Sequence, residues 1–266
     1  MEKFVMTGKT ALHYKDSEGD GRPVLLLHGY MESFDVWDGF SEILAKKGYR
    51  VVSLDLPGHG ISEILDEVHT MDLLAGVCDG LLVKLGIEQA DIVGHSMGGY
   101  VAQAFAKNCP DKVRSLTLFS STPDPDTDEK KQNREREIEI IRSGRKEMLS
   151  GILPGKGFAP ENRKKLADTI DELALQVMLT EDEGIIAILK GMMAREDMNG
   201  MLKELDKPQL FVFGCKDEYI PKEAAEKIAE NNPQTTVRWL ENSGHNGFLE
   251  QPEESADILN EFFQGC

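Results

Sequence analysis

The stretch Asp91-Ile92-Val93-Gly94-His95-Ser96-Met97-Gly98-Gly99-Tyr100 constrains this chain more than any other. An apolar, β-branched run ends in Gly-x-Ser-x-Gly, and a helix-patterned segment from Val101 to Asn108 follows at once. Strand, sharp turn and helix in that order separate a nucleophile elbow from a chance match to five residues. The turn strains the backbone at Ser96, and glycine at 94 and 98 removes side chains that would collide there. Ser96 Oγ is then expected to stand above the sheet, at the positive end of the new helix. The blander reading is a glycine-rich turn that merely joins strand to helix.

The flanking pattern extends the argument. Residues 3–6 and 10–15 read as two strands joined around Thr7-Gly8-Lys9. Pro23-Val24-Leu25-Leu26-Leu27 is a continuous apolar run, suited to a strand buried on both faces, and it stops at His28-Gly29-Tyr30. Trp37, Phe40, Ile43 and Leu44 recur at helical spacing, which predicts a helix over 35–46. Strands are expected over 49–54, 113–119, 209–213 and 235–240, with helices over 71–85, 221–229 and 252–263. Between Thr127 and Leu205 the chain is highly charged, rich in methionine and helical in pattern, with no strand-like run. Alternating strands and helices imply a doubly wound α/β fold, a mostly parallel sheet covered on both sides. Ser96, His28, Asp217 and His245 all fall just beyond expected strands, where such folds carry their chemistry.

Composition removes some alternatives. The 266 residues allow one large α/β domain or a core with an insertion, and the formal net charge of −17 repels nucleic acid and anionic membrane surfaces alike. The four cysteines (Cys78, Cys109, Cys215, Cys266) form no CxxC pair and no spacing with histidine that suggests zinc, so neither metal nor cofactor is expected. Free thiols and the lack of a leader-like or membrane-spanning apolar run point to a cytoplasmic protein.

A serine hydroxyl needs a base within hydrogen-bond reach, most often histidine. His13 lies in an early strand and His69 in a loop; His28 and His59 suit packing roles, and His95 should turn its ring away from its neighbour Ser96. His245 follows the last strand in Asn242-Ser243-Gly244-His245-Asn246-Gly247 and is the candidate base. The base needs an acid to fix its tautomer and stabilise the imidazolium. Asp217, in Gly214-Cys215-Lys216-Asp217, is the candidate, with Asp124 after the strand ending at Phe119 as the alternative. The order Ser, Asp, His fits an elbow nucleophile. An oxyanion formed on the substrate needs two backbone donors. Met97 N–H should be one, and Tyr30 N–H, after the strand ending at Leu27, the other.

With these residues in hand, the chain resembles an α/β-hydrolase with a cap, of the large esterase-like group. The resemblance rests on His28-Gly29, Asp55-x-Pro57-Gly58-His59-Gly60-x-Ser62, Gly94-His95-Ser96-Met97-Gly98-Gly99, Gly214-x-x-Asp217 with Pro221, and Gly244-His245 with Glu250-x-Pro252-Glu253. It covers nearly the whole chain except 127–205. It implies an eight-stranded sheet, a core of residues 1–123 and 206–266, and a helical cap of residues 124–205 inserted after the sixth strand. Asp55 and His59 would serve in hydrogen bonds rather than in chemistry.

Related haloalkane dehalogenases and epoxide hydrolases have aspartate at the elbow, so serine here points to acyl transfer to water through an acyl-enzyme. The expected partner is a small-molecule acyl substrate, a small or medium carboxylic ester. A C–C bond hydrolase, thioesterase, acyltransferase or aminopeptidase would use the same residues, and a non-catalytic ligand-binding protein would keep only the pocket. His28, Gly29, Met192 and Met193 are candidate pocket residues. Together with Met192 and Met193, Leu149, Ile152, Leu153, Phe158, Leu175, Met178, Ile185, Ile188 and Leu189 are candidates for an apolar wall, most of them only packing the cap. The dense charge from Asp128 to Arg145 reads as a solvated helix face. The oligomeric state has no sequence signature here.

Overall fold

The computed structural model describes residues 2–7 and 10–266. Eight strands form one sheet: β1 (Glu2–Thr7), β2 (Thr10–Asp16), β3 (Arg22–Leu27), β4 (Tyr49–Leu54), β5 (Ala90–His95), β6 (Val113–Phe119), β7 (Gln209–Gly214) and β8 (Thr236–Leu240). Their order across the sheet is β1-β2-β4-β3-β5-β6-β7-β8. β1 and β2 pair antiparallel, β2 joins β4 antiparallel, and every other pairing is parallel. The expected β1–β2 turn at Gly8 and Lys9 lies outside the described residues.

Burial explains why the central strands read as unbroken apolar runs. β5 and β7 are buried at every position, whereas the edge strands β1 and β8 alternate between more and less exposed residues. Helices α1 (Asp38–Lys46), α2 (Met71–Lys84) and α3 (Met97–Asn108) follow β3, β4 and β5. Leu25 and Leu27 of β3 pack into one core with Leu81 of α2 and Phe105 of α3, while Val24 and Leu26 pack into a second with Phe40 of α1. That alternation is the period-two geometry of a strand covered on both faces. Thr70 caps α2 by accepting the Leu73 N–H at 3.1 Å, and Gly86 ends it at a positive φ of 65°.

After β6 the chain leaves the sheet for six helices: α4 (Asp128–Arg142), α5 (Lys146–Ser150), α6 (Leu153–Lys156), α7 (Ala167–Leu179), α8 (Asp182–Ala194) and α9 (Asn199–Glu204). Asp126, buried where this excursion begins, pairs with Arg134 of α4 at 2.5 Å and with Arg195 beyond α8 at 2.6 Å. One carboxylate thus fastens the start of the excursion to its far end. The chain then returns through β7, α10 (Lys222–Asn231), β8, α11 (Gly247–Glu250) and α12 (Pro252–Gln264), whose Leu259 and Phe263 complete the second core. The short α11 had no sequence signal, because four residues cannot display a period. Among the described residues, no helix is long and apolar enough to cross a membrane.

The crossover from β3 to β4 runs to one side and that from β4 to β5 returns past it, so β3 and β5 lie side by side. Ligands of open α/β sheets bind at such a switch, outside the carboxyl ends of the strands. Here Leu27 is paired with Gly94, so the chain leaving each strand, at His28-Gly29-Tyr30 and at Ser96, lies over the same crevice.

Candidate active site

Ser96 joins β5 to α3 in a backbone conformation of φ 50° and ψ −115°, which a non-glycine residue rarely adopts. The neighbouring glycines make it possible. A Cβ on Gly98 would stand 2.2 Å from the carbonyl oxygen of Leu27, and one on Gly94 would stand 2.3 Å from that of Gly98. Backbone cannot yield at such distances, so both positions are closed to side chains. The Ser96 N–H donates to Phe119 O at 2.9 Å, and Ser121 Oγ donates to Ser96 O at 2.7 Å. Partners on β6 and just beyond it therefore hold the turn from both sides.

Asp217, just past β7, is buried and aims Oδ2 at His245 Nδ1, 2.7 Å away. Its other oxygen accepts the N–H groups of Tyr219 at 2.7 Å and Ile220 at 3.0 Å. Burial would raise the Asp217 carboxyl, but the charge and hydrogen bond of His245 and the two amides outweigh it and hold the group below its ordinary value. Asp217 is therefore ionised at neutral pH. Holding Nδ1–H on the carboxylate leaves Nε2 as the free lone pair of the ring. His245 and Ser96 line the same cavity of about 750 Å³. Among the described residues no hydrogen bond joins Ser96 Oγ to the His245 ring; contacts of this kind commonly tighten once substrate is bound. Asp124, the alternative acid, is occupied elsewhere: it accepts Thr122 Oγ1 at 3.1 Å and Asn199 Nδ2 at 2.8 Å and does not line the cavity.

Tyr30 and Met97 also line the cavity, bringing both expected oxyanion donors to its wall. Met97 is the first residue of α3, so its N–H has no acceptor within the helix. The Tyr30 side chain reaches further, donating Oη to Glu137 of α4 at 3.0 Å. Burial holds both groups above their ordinary values, the phenol well above, and the neighbouring carboxylate adds to the shift of the phenol.

Other expectations need correction. His28 and Gly29 do not line the cavity. His28 is fully buried, accepts the Leu56 N–H through Nε2 at 3.0 Å and contacts Gly29 O through Nδ1 at 2.8 Å. It ties the end of β3 to the loop after β4. Met192 faces the cavity, whereas Met193 turns into the packing between helix and core. Of the expected apolar wall Leu153 and Met192 contribute; Leu149, Phe158, Ile185, Ile188 and Leu189 are buried in packing, and Ile152, Leu175 and Met178 are exposed. Pro154, Leu173 and Val177 supply the rest of that wall.

The charged helix α4 is not simply a solvated face. Lys130, Asn133, Arg134 and Glu137, spaced i, i+3, i+4 and i+7, turn inward and line the cavity. Sequence reasoning missed them because Asp128–Glu137, where they lie, carries no apolar residue, so no amphipathic contrast marks the inward side there. Asp55 and His59 hold structural positions, as the resemblance implied. Asp55 faces His13 Nδ1 at 2.8 Å and accepts the Phe34 N–H at 2.9 Å, and His59 is fully buried beside the His28 ring.

Comparison with known proteins agrees with this fold. The family described as alpha/beta hydrolase fold matches residues 22–136. A 2-hydroxy-6-oxononadienedioate/2-hydroxy-6-oxononatrienedioate hydrolase of Pseudomonas putida is 29% identical over 95% of this chain and 91% of its own. A pimeloyl-acyl-carrier-protein methyl ester esterase of Aeromonas hydrophila is 27% identical over 92% and 96%. Among solved structures, a thermophilic esterase from Thermogutta terrifontis with malate bound superposes with a TM-score of 0.92 at 29% identity, covering 100% of this chain and 98% of that one. Strand order, elbow and these likenesses along nearly the whole length show that the chain has the α/β-hydrolase fold and is an enzyme of the hydrolase class.

Proposed function

We propose that this enzyme is a serine hydrolase that cleaves a small or medium carboxylic ester through an acyl-enzyme, with Ser96 as nucleophile, His245 as base and Asp217 as its orienting acid. The observation that carries the reading is the 2.7 Å contact of Asp217 Oδ2 with His245 Nδ1, beside a cavity that Ser96 shares. Ser96 Oγ attacks the acyl carbon while its proton passes to His245 Nε2, and Asp217 stabilises the resulting imidazolium. The Tyr30 and Met97 amides receive the negative charge on the former carbonyl oxygen. Collapse of the intermediate breaks the ester C–O bond, and the departing alcohol takes the proton from His245. Water then enters, gives a proton to His245 and attacks the acyl carbon; the proton returns to Ser96 as the acid leaves.

Residues 124–205 act in this reading as a cap, with α4, α6, α7 and α8 supplying the outer cavity wall. Its composition bears on the substrate. Met97, Met192, Leu173 and Val177 suit an alkyl or acyl portion, while Lys130, Asn133 and Arg134 suit a polar one. That polar stripe, together with the Pseudomonas putida relative, supports a second reading in which a C–C bond next to a carbonyl is cleaved on the same residues.

Hydrolysis of p-nitrophenyl acetate and butyrate, followed by the release of coloured nitrophenolate, tests the first reading. Activity lost in Ser96→Ala supports it, and equal activity in that variant rejects it. A panel of esters, thioesters, ring-cleavage dienones and aminoacyl amides separates the ester reading from the others.

A further inference from the structure

We infer that Glu32 and His95 form a buried ion pair that clamps the three loops of the active site together and positions His245. The inference rests on the catalytic reading above and concerns two residues with no part in it. Glu32 Oε2 accepts the Gly29 N–H at 2.6 Å and lies 3.1 Å from His95 Nδ1; His95 Nε2 lies 3.2 Å from the carbonyl oxygen of His245. Gly29 belongs to the loop that supplies the Tyr30 amide, His95 immediately precedes Ser96, and His245 is the base. One side-chain couple thus joins all three.

Both partners are buried, His95 at 1% exposure and Glu32 at 8%. The hydrogen-bond inventory then fixes the protons. A carbonyl oxygen only accepts, so His95 Nε2 carries a proton. The Nδ1 contact needs a second, because two lone pairs at that distance repel. The Glu32 oxygen also accepts a short amide N–H, which favours the carboxylate, so the second proton resides on the ring. Burial works against the Glu32 charge, but His95 and the Gly29 amide outweigh it and hold the carboxyl below its ordinary value. The site is built for this contact: a Cβ on Gly29 would stand 2.8 Å from Glu32 Oε2 and 2.9 Å from His95 Nδ1.

The neighbourhood holds few other charges. His28 lies behind the pair and interacts with both members, with Asp55 beyond it. Tyr219, whose ring is 4.9 Å from that of His245, turns its hydroxyl to Leu153 O at 2.9 Å, and Asp217 bonds His245 at Nδ1. Trp37 and Phe248 pack apolar rings against His95 at 6.3 and 4.9 Å. The rings of His95 and His245 are themselves 4.9 Å apart, so an unbalanced charge on either member of the pair acts directly on the base.

The test uses the two single variants and the double one. His95→Gln leaves a carboxylate without its cation, which favours the imidazolium of the base. Glu32→Gln leaves the opposite imbalance. The acid limb of the kcat/KM profile for p-nitrophenyl butyrate should therefore move to higher pH in His95→Gln and to lower pH in Glu32→Gln, each by about one unit. It should return close to the wild-type position in the double variant. Each single variant should lose about tenfold or more in kcat with little change in KM, as expected for positioning residues. Limbs that stay put, or that move in the same direction, overturn the proposal even if activity and melting temperature fall. Should the variants fail to fold, nitrogen-15 NMR of the wild-type histidines decides: both His95 ring nitrogens protonated at neutral pH supports the clamp, and a bare Nδ1 overturns it. That measurement needs no turnover, so it stands apart from the fate of the ester reading.

Discussion

Asp217→Asn is the sharpest test of the catalytic geometry, because the structure dictates which way the new amide must face. Oδ1 of Asp217 accepts two backbone N–H groups, at 2.7 and 3.0 Å from Tyr219 and Ile220. Those donors tolerate only an oxygen, so the asparagine must keep its carbonyl there and turn its NH2 toward His245 Nδ1. Nδ1 then has to accept, and the ring proton moves to Nε2, where the lone pair for Ser96 is needed. The volume of the side chain hardly changes, but the base is locked in the wrong tautomer and its imidazolium loses a counter-charge 2.7 Å away. Comparable substitutions in serine-histidine-aspartate sites lower kcat by about 10⁴, or roughly 5.4 kcal/mol of transition-state stabilisation. The assay is steady-state and burst-phase release of p-nitrophenol across pH 5 to 9, taken here as about the accessible range, with circular dichroism and thermal melting to show an intact fold. A variant that keeps more than about a tenth of wild-type kcat, a loss below about 1.4 kcal/mol, or that loses only in KM, refutes the role given to Asp217.

Tyr30→Phe removes the Oη contact with Glu137 but leaves the backbone N–H in place, so kcat should fall less than about threefold while stability drops by about 1–2 kcal/mol from the unpaired carboxyl. A hundredfold loss of kcat would move catalysis onto the phenol. Phe248, fully buried and packed against the rings of Trp37 at 4.1 Å and His95 at 4.9 Å, should cost about 3–5 kcal/mol when cut to alanine; urea denaturation measures it, and a cost under about 1 kcal/mol would mean the ring cluster is not part of the core. Burial lowers the pKa of His28 and, further, of His59, so the unfolded chain binds more protons than the folded one below about pH 6.5. Stability is accordingly full above that pH and is lost as pH falls through it, by up to about 1.4 kcal/mol per pH unit for each histidine. Denaturation midpoints measured from pH 7.5 down to 5, roughly spanning that histidine range, should decline, and less steeply in His59→Gln.

The alternation of apolar strands with helix-patterned segments, and the elbow at Ser96, are properties of short windows. A strand buried on both faces must be apolar throughout, and a turn that admits no Cβ must be glycine, so both leave a local trace. Strand limits at 49–54 and 113–119, and the places of Ser96, Asp217 and His245 just beyond strand ends, were legible for that reason. What the linear order could not carry was which side of the all-polar stretch 128–137 faces inward, or which acceptors a histidine ring meets. Lys130 and Arg134 came to line the cavity because α4 packs on α8 and reaches Tyr30 through Glu137, and Met193 turned away where Met192 did not because one residue is about 100° of helix. The Glu32–His95 contact joins positions 63 residues apart through a single oxygen. Such contacts depend on distances between elements that only packing sets, and no spacing along the chain encodes them.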